Sequence, residues 1–270
     1  MSDKLEYPDL KGAIESAVTD RPAMQWPTFD GSNLDRSKFM TASENSHCSR
    51  RIKYRQLADN TLKKKKNYKK RDQWGYFERG HNVEDWAYKL IREGLEGTGW
   101  WLDLAGPEQL SFHKGDLAGT PDGLIIKDEG SYESCFVLDI KSIDPLKKVS
   151  ALPDQDHIEQ VIQNCFLVGE CWNMDVVGGI VLYINCSNYQ IVKQFNFPYD
   201  DDAKAIAQTF VEKGARIREA AGPEHLEPEG LVITDGCKYC NFSTKCSNLI
   251  MDSKSKRLED IADGYFTKRA

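Results

Sequence analysis

The sequence predicts a mixed α/β protein of the α+β kind, in which one central mixed sheet is flanked by helices. Two observations predict it. Helical and β-type apolar patterns alternate in the order helix, strands, helix, strands, helix. The β-type runs are short and bounded by Gly, Asp, Asn and Ser, as strands are. A chain of 270 residues is long enough to bury a substantial core for such a sheet.

Each element has its own justification. Residues 1–40 mix acidic residues with Pro22, Pro27 and Gly31 and read as an N-terminal arm, with a short helix around Leu10 to Val18. Ser43 or Asn45 is placed to cap a helix carrying Cys48, Arg50, Arg51, Ile52, Tyr54 and Leu57. From Phe77 to Leu95, Val83, Ala87, Leu90, Ile91 and Leu95 recur at helical spacing, and Glu84 borders their apolar face. Trp100 to Leu104 and Leu110 to His113 read as strands. After Asp156, Ile158, Val161, Ile162, Cys165 and Phe166 fit a helix stopped at Gly169. Val176 to Ile184 and Gln190 to Phe197 are β-type, and Asp200 or Asp201 opens a last helix to about Ala221.

The stretch Gly119 to Ser142 concentrates the chemistry. Leu124 to Ile126 and Cys135 to Leu138 form an antiparallel pair around a turn at Lys127 to Ser131. Asp122 precedes the first strand, and Asp139 and Lys141 end the second. Side chains alternate across a strand, so Asp139 and Lys141 share a face. Two carboxylates and a lysine there suit a hard divalent cation holding a water against a phosphodiester. The same residues also suit a solvated turn with a surface ion pair, and the stretch alone leaves both readings open.

The net charge of −6 excludes a general polycation but not a local nucleic-acid surface. Lys63, Lys64, Lys65, Lys66, Lys69, Lys70 and Arg71 form the most basic segment, followed by Trp74, Tyr76 and Phe77. That is either a phosphate-tracking patch with stacking aromatics or a solvated loop. No apolar run reaches a membrane span and the first residues lack signal-peptide order, which places the protein in the cytoplasm, off the membrane. Eight cysteines in such a chain are thiols or metal ligands before they are disulfides. Cys237, Cys240 and Cys246 stand as C-x2-C-x5-C and want a fourth ligand for a tetrahedral zinc or a 4Fe–4S cluster.

Taken together, the pattern resembles the PD-(D/E)XK nuclease superfamily, and within it the RecB-like iron-sulfur exonucleases of CRISPR-associated and viral type. The residues that carry the resemblance are Gly80 and Glu84, the Pro-Asp-Gly of Asp122, the Asp-x-Lys of Asp139 and Lys141, Gln160 on the following helix, and Cys48 standing far before the three tail cysteines. It departs from the iron-sulfur members where they often carry a histidine in place of Glu84, with His81 as the displaced candidate. It departs again at Asn164, where an aromatic is usual.

The resemblance implies a restriction-endonuclease-like central mixed sheet at 41–250, with a tail at 251–270 and a cluster tethering the N-terminal helix to the tail. It implies an exonuclease dependent on Mg2+ or Mn2+ and acting on single-stranded DNA or DNA ends. Glu84, Asp122, Asp139 and the Ile140 carbonyl would bind the metal, with His81 a lesser candidate, and Lys141 and Gln160 would complete the catalytic set. Cys48, Cys237, Cys240 and Cys246 would hold a 4Fe–4S cluster, with zinc as the alternative, and the Lys63 to Arg71 segment would bind DNA. A recombination or CRISPR-type protein partner is compatible with it. The rival readings are a structure-selective endonuclease on the same core and a non-catalytic, zinc-held DNA-binding module.

Overall fold

The computed structural model describes residues 33–44, 47–58, 74–128, 133–144, 149–172 and 174–226, together with Cys240, Phe242 and Cys246. The N-terminal arm to residue 32, the basic segment Lys63 to Arg71, Cys237 and the tail at 251–270 lie outside these described residues.

A five-stranded mixed sheet dominates, in the order β2-β5-β6-β7-β8. Its strands are β2 (Trp100–Asp103), β5 (Gly123–Asp128), β6 (Glu133–Ile143), β7 (Asp175–Asn185) and β8 (Ile191–Pro198). All neighbours are antiparallel except β6 and β7. A parallel pair needs a crossover, and helix α3 (Gln155–Trp172) supplies it. The mixed sheet flanked by helices is the fold class expected from the sequence.

Alternation along β6 assigns its two faces. Leu138 and Ile140 join Val83, Ala87 and Tyr88 of helix α2 (Trp74–Leu95) in one cluster, with Leu182 and Ile184. Cys135, Val137 and Ile143 turn the other way and pack with Val161, Cys165 and Val168 of α3. Asp139 and Lys141 therefore face α3, on the same side as each other. Helix α4 (Asp201–Glu219), capped by the Asp200 carboxylate on the Ala203 N–H, closes over α3 through Ala203 and Ala207.

Three details differ from the sequence expectation. A second, three-stranded sheet pairs β1 (Met40–Thr41) in parallel with β4 (Leu117–Gly119), which is antiparallel to β3 (Phe112–Lys114). Its strands are too short to show a period, and one of them comes from far upstream. Helix α1 (Ser49–Ala58) starts later than a Ser43 cap requires, because Ser43 lies within its own 3-10 turn at Ala42–Glu44. Helix α3 runs through Gly169 to Trp172, since that glycine keeps helical geometry and the helix goes on packing over the sheet.

Candidate active site

The site forms where β5 begins and β6 nears its end. Asp122 sits just before β5, and its backbone N–H donates to the Leu138 carbonyl at 3.1 Å. Its carboxylate reaches back across the ladder, with Oδ2 accepting from the Ile140 N–H at 2.6 Å. Gly123 follows because a side chain there would press on Leu102, whose Cδ1 lies 2.8 Å from where a Cβ would stand. Gln109, from the end of the 3-10 turn at Gly106–Glu108, donates to the Pro121 carbonyl at 2.8 Å and to Asp122 Oδ1 at 3.3 Å. Both Asp122 oxygens are thus oriented by neighbours.

Asp139 follows Leu138, the register partner of Gly123, and is only 1% exposed. The Lys141 ammonium stands 2.9 Å from each of its oxygens. It donates a hydrogen bond to Oδ1, while Oδ2, buried, accepts none. Lys141 donates again to Gln160 Oε1 at 3.1 Å. One ammonium thereby ties β6 to α3.

Glu84 is at the border of this group. Its Oε2 lies 3.5 Å from Nδ1 of the half-exposed His81, one turn back on α2. The structure thus brings Asp122, Asp139, Lys141 and Gln160 together, and leaves Glu84 and His81 paired at the rim. Among the described residues no three His, Cys, Asp or Glu side chains are grouped as a formed metal centre.

The electrostatics follow from enclosure. Burial pushes the Asp139 carboxyl up to about 7, with Lys141 acting against the rise and Asp122 adding to it. Burial pushes Asp122 up to about 6, again opposed by Lys141 and increased by Glu84. Glu84 is raised by burial against the pull of His81. Burial disfavours the Lys141 ammonium, yet Asp139 and Asp122 together hold it above its usual range. Around neutral pH the enclosure is acid-rich and short of positive charge.

This donor set fits a hard divalent cation. Asp139 Oδ2 is buried and, beside its 2.9 Å ion contact with the Lys141 ammonium, accepts no hydrogen bond, so it keeps lone-pair capacity for a cation. Mg2+ commonly takes one or two carboxylates and fills the remaining positions with water and phosphate oxygens.

Three residues near the site escaped the sequence reading. Gln109 sits in a turn that carries no periodic signal. Tyr183 faces Lys141 in the β6–β7 register, and its hydroxyl pairs with His157 Nδ1 at 2.8 Å and accepts from the Asp154 N–H at 3.1 Å. The period of two along β7 was the available clue. Tyr88 is buried one turn beyond Glu84.

A second cysteine-bearing region lies at α1. The Arg50 guanidinium donates to Cys246 Sγ at 3.8 Å and to the Leu226 carbonyl, and Tyr54 stacks on Phe242 with ring centroids 5.2 Å apart. Cys48, Cys240 and Cys246 are partly exposed, whereas Cys135 and Cys165 are sealed in the main core and Cys186 in the smaller one. Cys246 is therefore near the helix that Cys48 precedes.

Fold and site together define a mixed-sheet protein with a half-buried Asp-Asp-Lys-Gln constellation, gathered around the buried Asp139, between the sheet and its crossover helix. No protein-family model matches the chain, and no curated protein sequence matches it. Among solved structures it is similar to SSO0001, at 16% identity and a TM-score of 0.41, over 87% of this chain and 92% of that one. It is also similar to the alkaline exonuclease LHK-Exo from Laribacter hongkongensis, at 15% identity and a TM-score of 0.40, over 67% of this chain and 91% of that one. The same exonuclease in complex with dAMP gives 15% identity and a TM-score of 0.41 over the same shares. No helix among the described residues is long and apolar enough to cross a membrane.

Proposed function

We propose that this protein is a metal-dependent deoxyribonuclease of the PD-(D/E)XK type, acting as an exonuclease on single-stranded DNA or DNA ends. The observation that carries the reading is the Lys141 ammonium, held between the buried Asp139 and Gln160 beside an Asp122 fixed on the Ile140 N–H. A solvated turn would leave these groups exposed and unconnected, and Asp139 is neither.

Asp122, Asp139, the Ile140 carbonyl and Glu84 would hold Mg2+ or Mn2+. The bound ion would supply charge neutralisation for the phosphodiester and a more acidic water. The chain's own groups do the rest. Lys141 orients the attacking water or the scissile phosphate, and Gln160 keeps the ammonium from folding wholly onto Asp139. Gln109 and the Ile140 N–H fix the Asp122 carboxylate in one direction, so its unused lone pairs have a set aim. The Lys63 to Arg71 segment would follow the phosphate backbone.

Cys48, Cys237, Cys240 and Cys246 would bind a structural 4Fe–4S cluster. The proximity of α1 to Cys246 supports it, and linking segments so distant in sequence removes much unfolded-state freedom. The test is degradation of end-labelled linear DNA with Mn2+ or Mg2+ beside circular single-stranded DNA. Loss of the linear substrate alone supports an exonuclease, cutting of the circle gives an endonuclease, and no cleavage of either rejects the proposal.

A further inference from the structure

Tyr88 carries a second unsatisfied group beside the site. The residue is 4% exposed, and its hydroxyl is buried with no hydrogen-bond partner among the described residues. Its ring sits in the cluster formed by Leu102, Ala105, Leu138 and Ile140, and thus directly behind Asp139 on β6. Gly106, whose φ of +69° suits glycine, lies against the ring: a Cβ there would stand at ordinary contact distance, 3.4 Å, from the ring Cδ2. That glycine opens the turn from which Gln109 reaches Asp122. The ring therefore packs beside the turn that supplies Gln109 and against the neighbours of Asp139 on β6.

Its position relative to Glu84 is set by the helix. The two are four residues apart on α2, so they lie on one stripe. Long helical side chains tend to lean toward the N-terminus, the direction in which Glu84 lies from Tyr88. The Glu84 carboxylate is at present engaged with His81, at the long separation of 3.5 Å and at the solvent rim. The Tyr88 hydroxyl also feels the charges of Asp122 and Glu84 ahead of the other acids near it.

A buried hydroxyl without an acceptor and a carboxylate loosely held outside the cation site complete each other. We propose that Tyr88 is a positioning residue: when Glu84 turns from His81 into the site to serve the cation, the Tyr88 hydroxyl donates to the Glu84 oxygen that the cation does not use. The orphan hydroxyl thereby sets the inward rotamer of the third carboxylate. Partners of this kind beside a metal ligand change affinity by about 10- to 100-fold. The inference rests on the proposed cation site.

Mn2+ binding by calorimetry separates the two. Wild type, Tyr88→Phe, Glu84→Gln and the double variant are titrated with Mn2+ alone, and each is melted without the cation. The expected result is Mn2+ affinity lowered about 10-fold or more by Tyr88→Phe, with no further loss when it is added to Glu84→Gln. The cation-free Tyr88→Phe protein should melt no lower than wild type, since it loses only an unpaired hydroxyl. Unchanged affinity, losses that simply multiply in the double variant, or a lower melting temperature without Mn2+ would each overturn the role of Tyr88. Failure of the wild type to bind Mn2+ would instead remove the cation site itself.

Discussion

Asp139→Asn should erase a pH dependence of stability that this one carboxylate imposes on the cation-free fold. The ordinary carboxyl value is 3.8, and in the fold it is raised to about 7, first by burial. A raised value means that the folded state holds the proton more tightly than the unfolded chain does. The neutral form's contribution is then fully present below about pH 4, declines through the interval, and is lost above about pH 7. The interval corresponds to roughly 4 kcal/mol. The substituted asparagine cannot titrate, yet it still offers Lys141 an acceptor. Urea unfolding of both proteins in chelator, from pH 4 to pH 8, reads this contribution, since groups remote from Asp139 cancel in the difference while Asp122 and Lys141, which feel its charge, shift with it. Wild type minus variant should fall by about 4 kcal/mol as pH rises. A difference that stays flat or rises would refute the claim that Asp139 is a buried acid awaiting a cation.

Two other outcomes follow, one from the packing and one from the proposed cluster. Gly119→Ala should destabilise the fold by about 1–3 kcal/mol in thermal or urea unfolding, because the new methyl would overlap Asn164 Oδ1 and lie 2.8 Å from Leu167 Cδ1. Anaerobically prepared protein should be brown, absorbing broadly in the visible blue, and Cys246→Ser should bleach it and lower its melting temperature. A colourless wild type carrying one zinc would keep the four-ligand proposal and reject iron.

Much of the candidate site's geometry was legible because it depends on short-range periodicity. The alternation that put Asp139 and Lys141 on one face is a property of any strand, and the Gly123–Leu138 pairing that sets Asp122 opposite them follows from the hairpin. Gln160 was singled out by the resemblance and not by the α3 pattern, which suits a surface glutamine equally, and in the fold its Oε1 accepts from Lys141. What failed to show was decided by tertiary contact. Gln109 and Tyr88 act through a turn and a buried ring that no repeat marks, and β1 finds β4 only after the chain has passed through two helices. Glu84 has the right helix and the right side, yet its carboxylate is with His81, a choice between near neighbours that spacing alone does not make. Gly169 shows the same limit from the other direction, because a glycine stops a helix only where packing stops rewarding it.

The most direct test of the account is cleavage of a labelled linear DNA by wild type and by Lys141→Ala, each with Mn2+ and with chelator. The account predicts degradation by wild type with Mn2+ alone, and a rate lower by about 100- to 1000-fold for Lys141→Ala, compared at a temperature where circular dichroism shows both proteins folded. Degradation by Lys141→Ala at the wild-type rate, or by wild type in chelator, would contradict it.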